Sequence, residues 1–241
     1  MSAHSYILAI DQGTTGSRAL LYDRNGNLKS SAYQEFQQFY PEPGRVEHDA
    51  REILASVQSV ISKALRIGRI SQKQIHAVGI TNQRETVVLW DRRSGAPVGR
   101  AIVWQDRRSD LLCQKLKARG LEHAVRRKTG LLFDPYFSAT KLRWCFDRNA
   151  SLARKARLGS LCFGTIDSWL LFHLTGGAVH ATDFTNASRT LLFNIKQKKW
   201  DSELCRLFHV PQAILPEAKP SGSLFGKTKN FRPLPDGIPI H

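Results

Sequence analysis

The chain has 241 residues, with 36 basic against 20 acidic side chains and a formal net charge of +16. Its 41% apolar and 23% charged content is that of a globular protein, which excludes wholesale disorder. No apolar run reaches the length of a membrane span, and the start, Met1 to Ile10, lacks the basic n-region of a secretory signal, so neither is expected.

Tyr6 to Ile10 is a short apolar run ended by Asp11 and Gly13, which predicts a buried strand. Arg18 to Asp23 and Leu28 to about Tyr33 predict two more. Asn25-Gly26 between them signals a type I′ hairpin, whose two central residues take positive φ. Pro43 and Gly44 mark a loop. Asp49, three residues before Glu52, predicts a capped helix start. Ile53, Leu54, Val57, Val60, Ile61, Ala64 and Leu65 then follow one helical face, a stripe that reads as core packing. Strands are predicted at Ile75 to Thr81, Thr86 to Trp90, Ala101 to Trp104 and Leu161 to Gly164. Helices are predicted at Ser109 to Arg119, Ser138 to Asp147, Asp167 to Leu174 and Trp200 to Phe208. Strands that open as hairpins and then alternate with helices define an α/β protein, a mixed sheet flanked by helices. Ile238 to Ile240 reads as the start of a further strand.

The basic residues are spread along the chain without interleaved aromatics, so they read as a solvated cationic surface and no nucleic-acid partner is expected. Cys113, Cys145, Cys162 and Cys205 show no metal or disulfide spacing, which points to a reducing, cytoplasmic compartment. His48, His76, His173 and His180 have no partner visible in sequence and read as structural.

Five stretches carry chemistry. Asp11-Gln-Gly-Thr-Thr-Gly-Ser-Arg18 sets a glycine turn between two strands. Its backbone N–H groups can form an anion nest, Thr14, Thr15 and Ser17 add hydroxyls, and Arg18 adds a charge suited to phosphate. Asp11, at a strand end, can hold Mg²⁺ directly or through water. An ordinary hairpin turn has the same composition, and no Walker A loop is present. Thr81 to Thr86 offers Arg84 and Glu85 as donor and acceptor for a polyol, or is a solvated loop. Trp104, in Val103 to Arg108, and Tyr136, in Asp134 to Ser138, can form an apolar wall with polar tips, or pack in the core. Thr182 to Arg189 is either a self-bonded loop or the edge of a site.

In this order, ILAIDQGTTGSRALLYD, YPEPGRVEHDAREI, VGITNQRETVVLW, AIVWQDRR, TGLLFDPYFSATKLRW and TDFTNASRTLLFN resemble the FGGY carbohydrate kinases. The resemblance runs from Tyr6 to about Gly226. It implies one actin-like (ribonuclease H-like) ATPase domain over 1–241, whose tail from about residue 220 leads toward a second domain. It implies ATP phosphates held by Thr14, Thr15, Ser17 and Arg18, with Mg²⁺ at Asp11. It implies glycerol as acceptor, held by Arg84, Glu85, Trp104 and Tyr136, with another polyol or a ketose as the alternative. The family's general-base aspartate is expected beyond residue 241. The chain alone is therefore expected to be inactive or severely impaired, completed by a C-terminal half or a homo-oligomer, or else to be a catalytically dead polyol- or phosphate-binding remnant.

Overall fold

The structure, a computed structural model, describes residues 5–241; residues 1–4, part of the stretch read for a signal peptide, lie outside the described residues. Strand β1 is Tyr6–Gln12, β2 Gly16–Asp23 and β3 Leu28–Glu35, a meander of antiparallel pairs. Alternation decides its faces. Leu8, Ile10, Ala19 and Leu21 are fully buried on one side. The turn before β3 differs from the expected type I′. Gly26 has φ +80°, but Asn25 does not take positive φ. Gly26 N–H donates to Asp23 O, and the Asp23 carboxylate accepts from the N–H groups of Asn25 and Asn27. The aspartate thus selects a three-residue turn in which only the glycine is left-handed.

Helix α1, Ala50–Gly68, packs on β2 and β3 with Ile53, Val57, Val60 and Ile61 fully buried. Asp49 caps it by accepting from Arg51 N–H. Glu52 does not close a capping box; its carboxylate takes Gln37 N–H instead. The crossover through α1 brings the Ile75–Asn82 strand parallel to β1. The tail adds Pro239–Ile240, through the Ile240–Val78 pair, and then Gly226–Lys227, completing six strands. The tail from residue 220 is therefore partly built into the sheet edge.

A second sheet pairs Val88–Asp91 with Leu161–Gly164. It divides the interior. Val88, Trp90 and Cys162 face a core shared with the large sheet, α1 and the Ile166–Leu174 helix. Val87, Leu89, Leu161 and Phe163 face a second core with Phe133, Phe137, Leu142 and Phe208. Period-two alternation on one strand thus ties the two cores together.

Several elements are shorter than their patterns suggest. The Thr86–Trp90 strand spans Val88–Asp91, Ala101–Trp104 spans Ala101–Ile102, and the last helix spans Ser202–Leu207, with Trp200 in a strand instead. Helices Glu122–Thr129 and Ala150–Arg157 lie where no element is predicted. All four cysteines are unpaired, and burial pushes the Cys113, Cys145 and Cys162 thiols up to about 11. Among the described residues no helix is long and apolar enough to cross a membrane.

Candidate active site

The turn from β1 into β2 is closed by Gly13 N–H donating to Gly16 O at 2.9 Å. Gly16 is required there, because a Cβ would lie 2.5 Å from Tyr33 Oη and 2.7 Å from Gln34 O. The turn is braced from behind by a buried amide network. Gln83 Nε2 donates to Gln12 Oε1 at 3.1 Å and to Gly13 O at 3.2 Å, and Gln83 Oε1 accepts from Thr86 Oγ1 at 2.8 Å. His48 Nδ1 lies 3.4 Å from Gln83 Nε2 and His48 Nε2 lies 2.6 Å from Gln38 Oε1. Gln38 Nε2 reaches Thr14 O at 3.2 Å. A neutral imidazole protonated at Nε2 satisfies both contacts. Sequence reasoning left His48 without partners because they stand 10 and 35 residues away.

Burial pushes His48 down to about 4. The unfolded imidazole titrates near 6.5, so between those values only the unfolded chain takes up this proton and stability falls with falling pH. His180 acts in the same direction, and Asp167, raised by burial to about 6, acts oppositely. His48→Gln is expected to shrink the stability lost between pH 7 and pH 4.5 by about 2 kcal/mol. Urea midpoints at the two pH values test this; an unchanged pH slope contradicts it.

The register sets Asp11 opposite Arg18, and Arg18 opposite Tyr33, in one row across three strands. The Arg18 guanidinium lies 5.5 Å from the Tyr33 ring centroid. Thr15 Oγ1 is 3.4 Å from Tyr33 Oη. Asp11 is half-buried, and its carboxylate accepts no hydrogen bond and makes no ion pair among the described residues. Ser17 is placed differently from expectation. Alternation along β2 turns it into the core, where its hydroxyl bonds Ser56 Oγ of α1 at 2.8 Å. Its side chain faces away from Arg18 and is already committed, so it does not join Thr14, Thr15 and Arg18 at the turn.

Trp104 and Tyr136 do come together, edge to face with centroids 5.4 Å apart. With Asp134 and Arg107 they line a cavity of about 230 Å³. Trp104 Nε1 donates to Thr14 Oγ1 at 2.9 Å, joining this wall to the glycine turn. The Trp104 loop is folded by buried Asp106, which accepts from Val46 N–H and pairs with Arg108 at 2.8 Å. The Tyr136 loop is held by Lys141, fully buried, whose ammonium donates to the carbonyls of Pro135 and Tyr136 at 2.6 Å each. Burial lowers Lys141 to about 7.

Arg84 is exposed and lines a separate cavity of about 150 Å³ with Asn82, Asp167, Asp183 and Asn186. Glu85 lines neither cavity. Its side chain is 2% exposed, its φ is +63°, and it pairs with Arg189 Nε at 2.6 Å. A non-glycine residue held in the left-handed region is a strained backbone of the kind that gathers at binding sites. The four expected clamp residues are thus divided between two cavities and a buried ion pair.

A metal here is not caged by protein. No group of three or more His, Cys, Asp or Glu side chains is placed to hold one among the described residues. A single free carboxylate beside a glycine turn, as Asp11 is, suits a largely hydrated Mg²⁺ rather than a protein-caged ion.

A strand meander, a crossover helix and a parallel fourth strand around a glycine turn form the actin-like ATPase fold. The chain belongs to the FGGY family of carbohydrate kinases: the family's N-terminal domain matches residues 6–239. Among its relatives, glycerol kinase of Alcanivorax borkumensis is 56% identical over 223 residues, 92% of this chain and 45% of that protein. Glycerol kinase of Leptospira biflexa is 52% identical over 240 residues, 100% of this chain and 48% of that protein. The crystal structure of Plasmodium falciparum glycerol kinase with ADP superposes with a TM-score of 0.93 at 36% identity, covering 98% of this chain and 47% of that one. The chain spans about half the length of the curated relatives it matches.

Proposed function

We propose that this chain is the N-terminal half of a glycerol kinase, which transfers the terminal phosphoryl group of ATP to glycerol. The observation that carries the reading is the 2.9 Å bond from Trp104 Nε1 to Thr14 Oγ1, because it joins an aromatic wall suited to a polyol to a glycine turn suited to phosphate. Phosphoryl transfer is mostly positioning and charge neutralisation, so these two parts have to be adjacent. The relatives' names support glycerol over other acceptors.

In this reading the hydroxyls of Thr14 and Thr15 and the turn's N–H groups bind phosphate oxygens, and Arg18 neutralises their charge. Asp11 would hold Mg²⁺, directly or through water, and the ion would supply charge neutralisation at the transferring phosphate when bound. Arg84 donates to glycerol hydroxyls, Glu85 accepts from one, and the Trp104–Tyr136 wall covers the carbon chain and excludes water. No residue of this chain is assigned the general base; that role belongs to the second half that completes the cleft. The compartment is the cytoplasm, in keeping with four unpaired cysteines.

The test pairs this chain with the C-terminal half of the Alcanivorax borkumensis relative and follows ADP release. Glycerol-dependent turnover by the pair, with less than about 1% of it from either half alone, is expected. Preference for a ketose or a longer polyol would reassign the substrate. A folded pair that turns over none of them would leave a binding remnant.

A further inference from the structure

The Thr182-to-Arg189 stretch is tied to the Arg84–Glu85 corner on both sides. Asp183 caps the short Phe184–Ala187 helix, accepting from Asn186 N–H at 2.7 Å and Nδ2 at 2.9 Å. Asn186 and Asn82 exchange side-chain amide bonds of 3.0 and 3.2 Å, two residues before Arg84. One residue after Arg84, Glu85 Oε1 accepts from Arg189 Nε at 2.6 Å. The Arg189 guanidinium also lies 5.6 Å from the Tyr136 ring centroid and 4.9 Å from that of Phe137. Burial hardens this contact, since Arg189 is 27% exposed and Glu85 only 2%. A carboxylate so buried stays in place only while its partner does. The left-handed backbone at Glu85 likewise relaxes unless its surroundings hold it.

We infer that Arg189 is a positioning residue for the polyol site: it fixes the Glu85 carboxylate by Oε1 and the Tyr136 ring by its face, leaving Glu85 Oε2 as the acceptor for one substrate hydroxyl. The inference rests on the polyol reading above. It makes the Thr182-to-Arg189 stretch the edge of the site rather than a self-contained loop. Lysine at 189 keeps the charge but loses the planar fork and the stacking, so it restores the site only in part.

Two measurements on the purified chain test it, with Arg189→Ala and Arg189→Lys beside the parent. The first is hydrogen exchange over residues 82–88 without ligand, with α1 exchange as the folding control. The second is glycerol affinity by isothermal titration. Faster exchange over 82–88 with α1 unchanged, together with about tenfold or more weaker glycerol binding in Arg189→Ala and an intermediate Arg189→Lys, is the expected result. Unchanged exchange over 82–88 overturns the inference, and so does faster exchange with unchanged affinity. A parent chain that takes up no glycerol even when paired with the complementary second half refutes the polyol reading instead, and the exchange data then decide separately whether Arg189 holds Glu85.

Discussion

Arg84→Ala is expected to lower kcat/KM for glycerol by about 10²–10³-fold in the chain paired with a complementary second half. The Arg84 side chain is exposed at the mouth of its cavity and makes no hydrogen bond or ion pair among the described residues. All its donors are therefore free for a ligand. Losing a charge-assisted, two-pronged contact made to the reacting substrate costs about 3–4 kcal/mol. The same exposure means that folding loses little, within about 0.5 kcal/mol. Steady-state kinetics and urea unfolding on one preparation separate the two effects. Retained parental kcat/KM would remove Arg84 from the hydroxyl clamp.

The largest effect on stability is expected at Trp90, where alanine costs about 3–5 kcal/mol. Trp90 is fully buried, with Trp169, Phe172 and His180 around it at ring-centroid distances of 5.5, 5.6 and 5.3 Å. It is also the largest of the side chains that the small sheet sends into the core shared with the large one. Gly164 on the partner strand leaves room for it, since a Cβ there would lie 2.9 Å from the Trp90 ring. Its Nε1 is buried without a partner among the described residues, so no hydrogen bond to them is lost with the indole. Trp90→Phe should accordingly cost much less than Trp90→Ala, about 1–2 kcal/mol, because the void is offset by removing an unsatisfied donor. Denaturant midpoints decide it; equal costs for the two variants would mean that the ring packing contributes nothing.

Local pattern made much of this protein legible. The Asp11–Arg18 turn, the α1 stripe and the Ile75–Asn82 strand lie in the structure close to where periodicity puts them. Trp104 and Tyr136 meet as an aromatic wall. The two-residue strand Glu47–His48 left no signal, because two residues show no period and its partner, Ala101–Ile102, is over fifty positions away. The Glu122–Thr129 helix escaped because its first turn is polar and its last is the basic run Arg126 to Lys128.

The sequence by itself determined the strand meander, the capped helix and the identity of the polar groups offered at each turn, since these follow from side-chain period and turn chemistry over a few residues. Tertiary structure alone decided which of those groups remain available. It turned Ser17 inward onto Ser56, closed His48 into the network behind the glycine turn, and drew Arg189 across 104 residues onto Glu85. The physical reason is common to the three. A buried polar atom must find a partner wherever the fold brings one, and that distance is not written in local spacing.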